Sequence, residues 1–340
     1  MHPTTDAALT RREALQHLAL FPMLLSVRGI QRPVEETLHL CAAGITACGY
    51  LAKGQHSDME LAFSAISSYL PPLKAIVKES SAHRKAAARI LAQALLFKAT
   101  LSLHKEGAGR AIHSAQQADL YSAQSGDLAL RLIILHRLAW IYNSNRQPQQ
   151  ALETALLAQS LLETALKQAK VPLHPSVQSA VYGAVAKSQA HYGVETGALS
   201  SALTVFDPAE DDESDKALIE FNRATLIQDE GTTYYNLGDY DKALSTWSQI
   251  IDPETLTLQT FVDSERTRIQ IIGLQLLASL KHPQKDMERS IHLWKAGMEG
   301  AKGIRSAQQF REIAMAYDIM EAFWSGDARI KELRELIVHW

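Results

Sequence analysis

This 340-residue sequence predicts an all-α fold, a right-handed superhelical array of antiparallel helix pairs. Three observations carry that expectation. Gly (17) and Pro (11) are scarce beside abundant Ala, Leu and Gln, a balance that favours helix because Ala and straight-chain residues lose little freedom there. No run alternates apolar and polar residues in the way a half-buried strand does. One pattern of small and large residues recurs at intervals longer than a single helix, as stacked helix pairs require. Hydrophobic residues make up 46 % and charged residues 21 %, which is globular rather than disordered material. With a net charge of −3 there is no overall basic excess to neutralise phosphates, so direct nucleic-acid binding by this chain is not expected.

The clearest unit spans 224–253. Its stretch Asn236-Leu237-Gly238-Asp239-Tyr240-Asp241-Lys242-Ala243-Leu244 resembles the turn and second-helix start of a tetratricopeptide repeat. Small Gly231 and Ala243 let two helices approach, while Tyr234 and Trp247 fill the holes beside them. Gly238 suits the left-handed end of the first helix, and Asp239 can cap the second. The same template slides onto 92–125 (Ala99, Ala111, followed by Ala115 and Ala118), onto 132–165 (Ala139, Ala151, with Leu138 and Tyr142) and onto 179–208 (Ala186, Ala198, turning at Gly193). Pro148 fits the first turn of a helix, where its missing N–H costs nothing. The second-helix alanines Ala111, Ala151, Ala198 and Ala243 lie 40, 47 and 45 residues apart, wider than the roughly 34 of a strict array, so longer helices or loops are expected.

Further pairs are expected at 34–53 with 59–77, at 265–279 with 285–300, and at 307–324 with 327–339. Pro71-Pro72 are expected to bend or end their helix. The array thus runs over 34–340, preceded by an amphipathic capping segment at 1–33. Thr10-Arg11-Arg12 before an apolar run superficially resembles a twin-arginine export signal. His17 near the start of the run, Pro22 within it and the lack of an A-x-A cleavage site argue against export. No stretch is read as a membrane span. Cys41 and Cys48 are too few for a disulfide framework, and two helical turns separate them, so both are expected as buried thiols of a reduced, cytoplasmic protein. The acidic stretch 207–215 reads as a solvated loop.

A wider resemblance rests on RREALQHLAL at 11–20, LAKGQHSDMELAFSAISSYLPPL at 51–73, DSERTRIQII at 263–272 and ARIKELREL at 328–336. These resemble the C-terminal tetratricopeptide region of bacterial helix-turn-helix regulators of the kind expanded in Ktedonobacteria, and the likeness covers most of the chain. It implies a repeat region that senses a signal or holds a partner. The residues before the first expected helix are too few for a DNA-binding bundle, so the expectation is the sensor or adaptor half.

No chemistry-bearing motif appears. There is no H-E-x-x-H, G-x-S-x-G, Walker or dinucleotide-binding motif, and no cysteine–histidine cluster of zinc spacing. Glu106-Gly107-Ala108-Gly109-Arg110 has no strand before it and reads as an interhelical turn. Neither an enzyme, a cofactor nor a metal is expected. A ligand would sit on the concave face lined by the first helix of each pair. Counting from the small-residue anchors puts Gln93, Thr100 and His104 there, with Ile133, His136, Trp140 and Asn143. Lys187 and His191 follow, then Gln228, Thr232, Tyr235 and Asn236. His104, His136, Trp140, Asn143, Lys187, His191, Gln228, Tyr235 and Asn236 form the expected peptide- or protein-binding set. Asn143 and Asn236 could pair with a peptide backbone, and Trp140 and Tyr235 could add apolar area, unless these aromatics pack between helices instead. The expected function is a regulatory sensor or adaptor. Its alternatives are a scaffold that dimerises through 7–25 and 327–339, ending in an exposed Trp340, or an exported binding protein.

Overall fold

The computed structural model describes residues 15–17, 19, 33–52, 56–168, 172–207, 221–261 and 264–338. Most of the expected capping segment, most of the acidic stretch and Trp340 lie outside these. Among the described residues there is no strand apart from one isolated antiparallel bridge between Ile251 and Leu258, residues 15–17 and 19 are helical, and fourteen further helices have both ends described. We number them α1 (Val34–Leu51), α2 (His56–Glu79), α3 (Arg84–Lys105), α4 (Ala108–Ser125), α5 (Leu128–Ser144), α6 (Pro148–Gln168), α7 (Pro175–Ala190), α8 (Ala198–Val205), α9 (Arg223–Leu237), α10 (Tyr240–Trp247), α11 (Glu265–Lys281), α12 (Met287–Gly303), α13 (Ala307–Trp324) and α14 (Ala328–Val338).

Local sequence explains most helix boundaries. Asp127, Asn222, Asp239, Ser264, Asp286 and Ser306 each cap a helix by accepting a backbone N–H with the side chain, which satisfies donors that the first turn leaves orphaned. α6 opens on Pro148. Gly238 ends α9 in the left-handed region at φ 84°. Phe221, just before the Asn222 cap, packs in one cluster with Leu226 four positions into the helix, a hydrophobic staple that fixes the entry of α9.

Helices pair by fitting small residues against large ones. A β-carbon on Gly231 would stand 2.3 Å from the Trp247 indole nitrogen, so glycine is what lets α9 and α10 close over this fully buried ring. α10 is short, because the chain leaves it for a turn in which Asp252 accepts the N–H groups of Glu254 (3.0 Å) and Thr255 (2.7 Å).

Two expectations need correcting. α2 runs through Pro71 and Pro72 instead of ending there. Tyr69, Leu70 and Leu73 around them are buried, and that packing outweighs the two lost backbone hydrogen bonds. α3 is long and apolar enough by composition to cross a membrane, contrary to the sequence reading, but most of it is buried inside the protein, where it serves as the core helix of the array.

The order of packing sets the architecture. α3, α5, α7, α9, α11 and α13 are the first helices of six consecutive pairs, and each touches the next first helix. The series does not stay open, because α13 returns to pack against α3. The second helices touch their own partners and the first helix that follows. First helices therefore form an inner ring, with second helices outside. α1 and α2 pack onto α3, and Ala19, buried, accepts the Tyr69 hydroxyl at 3.0 Å.

Candidate functional site

Three first helices build a cleft on the inner ring. α3 supplies Leu96, Phe97 and Thr100, α5 supplies Ile133, His136 and Arg137, and Ala180 of α7 and the staple residue Phe221 complete it. It encloses about 20 Å³, space for about one water by the usual measure. Thr100 falls on the inner face because α3 places it one turn from Leu96, whose carbonyl accepts its hydroxyl at 3.3 Å. The walls are apolar and the Thr100 and Arg137 edge is polar, and a side chain could enter only if the walls parted.

Beneath the cleft lies a buried charge cluster. Asp229 of α9 is 2 % exposed and accepts the Lys187 ammonium of α7 at 2.5 Å. Its other oxygen faces His136 Nε2 of α5 at 3.6 Å, too long for a hydrogen bond. Phe221 stands edge-on to the His136 ring, centroids 5.5 Å apart. A β-carbon on Gly183 would stand 2.9 Å from Asp229 Oδ2, so α7 has a glycine where the carboxylate fits. One carboxylate thus ties three successive first helices together.

The electrostatics follow from burial. Desolvation alone would raise the Asp229 carboxyl, but the Lys187 ammonium and His136 outweigh it and hold it below the ordinary carboxylate range. Burial also pushes His136 below its ordinary value of 6.5, against the pull of Asp229. A histidine held neutral in the fold contributes stability that is fully present above its unfolded pKa and is lost as pH falls. Stability is therefore expected to start declining below about pH 6.5. Asp229, with its depressed pKa, adds to the loss only in stronger acid, below its unfolded value of 3.8. Denaturant midpoints between pH 8 and 5 measure this. His136→Gln is expected to flatten the slope just below pH 6.5, and an unchanged slope would assign it to other groups.

The residues expected to line an open groove divide differently in the structure. His104, His136 and Lys187 are buried, the first against Ser306 of α13 (3.0 Å) and the other two at Asp229. Asn236 donates its amide to the Lys187 carbonyl (3.1 Å), bracing α9 against α7. The Gln228 carbonyl accepts the Trp247 indole N–H (3.4 Å) and the Thr232 hydroxyl (2.7 Å). Tyr235 packs between Tyr240 and Trp247, with Lys281 over its ring at 4.6 Å. Trp140 is half-buried, with the Arg137 guanidinium over its ring at 5.2 Å. Asn143 is half-buried and His191 exposed. The inner faces are too tightly ringed for these side chains to stand free, so most brace helix against helix. Counting from the anchors placed Thr100, Ile133 and His136 together, but missed Asp229, Phe97, Arg137 and Phe221. A usable signal was Lys187, the lone charge in the stretch AVYGAVAKSQA at 180–190: an ammonium on so apolar a helix needs a partner.

No family model matches the chain, and no curated protein matches it. Among solved structures, a signal transduction ATPase with numerous domains, bearing a tetratricopeptide repeat sensor, from Pyrococcus horikoshii, matches at 15 % identity with a TM-score of 0.29. The match covers 92 % of this chain and 53 % of that one, so the chain spans about half its length. A superposition of that quality carries no argument about function.

Proposed function

We propose that this chain is a non-catalytic binding module, a regulatory sensor or adaptor of the kind its sequence resembles in helix-turn-helix regulators, and that it takes a peptide segment at the inner-ring cleft. The observation that supports this reading is the cleft itself. Three consecutive first helices converge there on apolar walls with a polar edge, so an apolar side chain that parts those walls would contact several repeat units at once. The charged cluster Lys187–Asp229–His136 nearby is internal and is read as structural.

Thermal shift with pooled random peptides tests the proposal. A ligand that binds only the folded state stabilises it by about 2.7 kcal/mol at a hundredfold excess over Kd. Thr100→Phe fills the cleft and is expected to abolish the shift, weakening binding tenfold or more. A shift that survives Thr100→Phe would move the site elsewhere. No shift from any pool, together with a stable dimer by light scattering, would favour the scaffold instead.

A further inference from the structure

In a linear solenoid each unit touches only its neighbours, so the ends remain apart. Here the ends meet. His104 Nδ1 on α3 lies 3.0 Å from Ser306 Oγ, across 202 positions of chain. Both residues are buried, and Ser306 is the cap of α13, its hydroxyl also accepting the Gln309 N–H at 3.3 Å. Beside it, Arg146 in the α5–α6 turn points Nη2 at Met315 Sδ of α13, 3.1 Å away. Met315 is still 43 % exposed. No apolar cluster of the described residues spans this seam, whereas α3, α5 and α7 share one such cluster and α9, α11 and α13 another; the α7–α9 joint carries the buried Lys187–Asp229 pair.

The position of the seam gives it meaning. His104 stands one helical turn beyond Thr100 on α3, and residues four apart share a helix face. The contact with α13 therefore occupies the same inner stripe of α3 as the cleft, next to its polar edge. We propose that the α3–α13 seam is a latch that gates the inner face: closed as seen here, it holds α13 beside the cleft, and its opening lets the ring spring into a wider arc that admits a peptide. Small rotations at each joint of an array add up, so releasing one seam frees the whole inner face. The gating role rests on the binding reading of the cleft, but the latch is testable without any peptide.

A thiol reporter supplies that test. Thr100→Cys places a cysteine at the cleft edge. The two native thiols are buried, with pKa pushed up to about 11 for Cys41 and about 12 for Cys48, so they react slowly. N-ethylmaleimide is expected to modify the reporter slowly in the otherwise intact chain. His104→Ala or Arg146→Gly is expected to speed that modification at least tenfold, with a larger radius of gyration by small-angle scattering. Arg146→Gly is the variant that spares the fold, because Arg146 sits at φ 57°, where glycine is unstrained. Unchanged rates and radius in Arg146→Gly, with helical circular dichroism retained, would overturn the latch whatever His104→Ala does. Loss of peptide binding with the latch response intact would instead count against the peptide reading alone.

Discussion

Replacing Asp229 with alanine is expected to destabilise the protein by about 3–5 kcal/mol, one of the two largest effects of any single substitution. The change leaves the Lys187 ammonium buried with no carboxylate beside it. Removing only the lysine is expected to cost nearly as much, since Asp229 would then be the stranded charge. The pair as a whole contributes far less than either single loss suggests, because taking both charges out of water already costs most of what their attraction returns. Lys187→Met combined with Asp229→Leu is therefore expected to recover most of the stability lost in either single variant. Chemical denaturation of the four proteins as a double-mutant cycle measures the coupling. Additive losses in the double variant would mean that the two residues act independently.

Trp247→Ala is expected to cost about 3–5 kcal/mol through loss of buried area and the cavity left behind. The indole is fully buried, and Gly231 opposite leaves no atom able to move into the space. Gly231→Ala creates the converse fault, a methyl driven into the indole, with an expected loss of about 1–3 kcal/mol from overpacking. The two faults should partly cancel: Gly231→Ala is expected to be milder in a Trp247→Leu background than in the native one. Equal penalties in both backgrounds would show that the glycine is needed for some other reason.

The features legible in the sequence were those set by neighbours in the chain or by one pair of helices. Gly238, Asp239 and Pro148 act on their own helix ends, and Gly231 with Trp247 acts across one hairpin, so a local template finds them. The Lys187–Asp229 contact joins residues 42 apart on different pairs, and Asp229 stands between Gln228 and Glu230, where it looks like one more residue of a wet helix face. Pro71 and Pro72 were read for what they do to a backbone alone, whereas the buried Tyr69 and Leu73 beside them hold that backbone helical. Of the expected binding set, only His136 lines the cleft. The others stand elsewhere: the return of α13 to α3 covers His104, and Asp229 of α9 covers Lys187.

That return also constrains how such a chain can change over generations. An open stack can gain or lose a unit anywhere, because each new unit finds the same two neighbours. In a closed one, adding or deleting a pair between α3 and α13 would rotate Ser306 away from His104 and Arg146 away from Met315. The number of units is locked by geometry, so length variation among proteins built this way belongs in connecting segments, such as the turn after α10, and not in the count of helices.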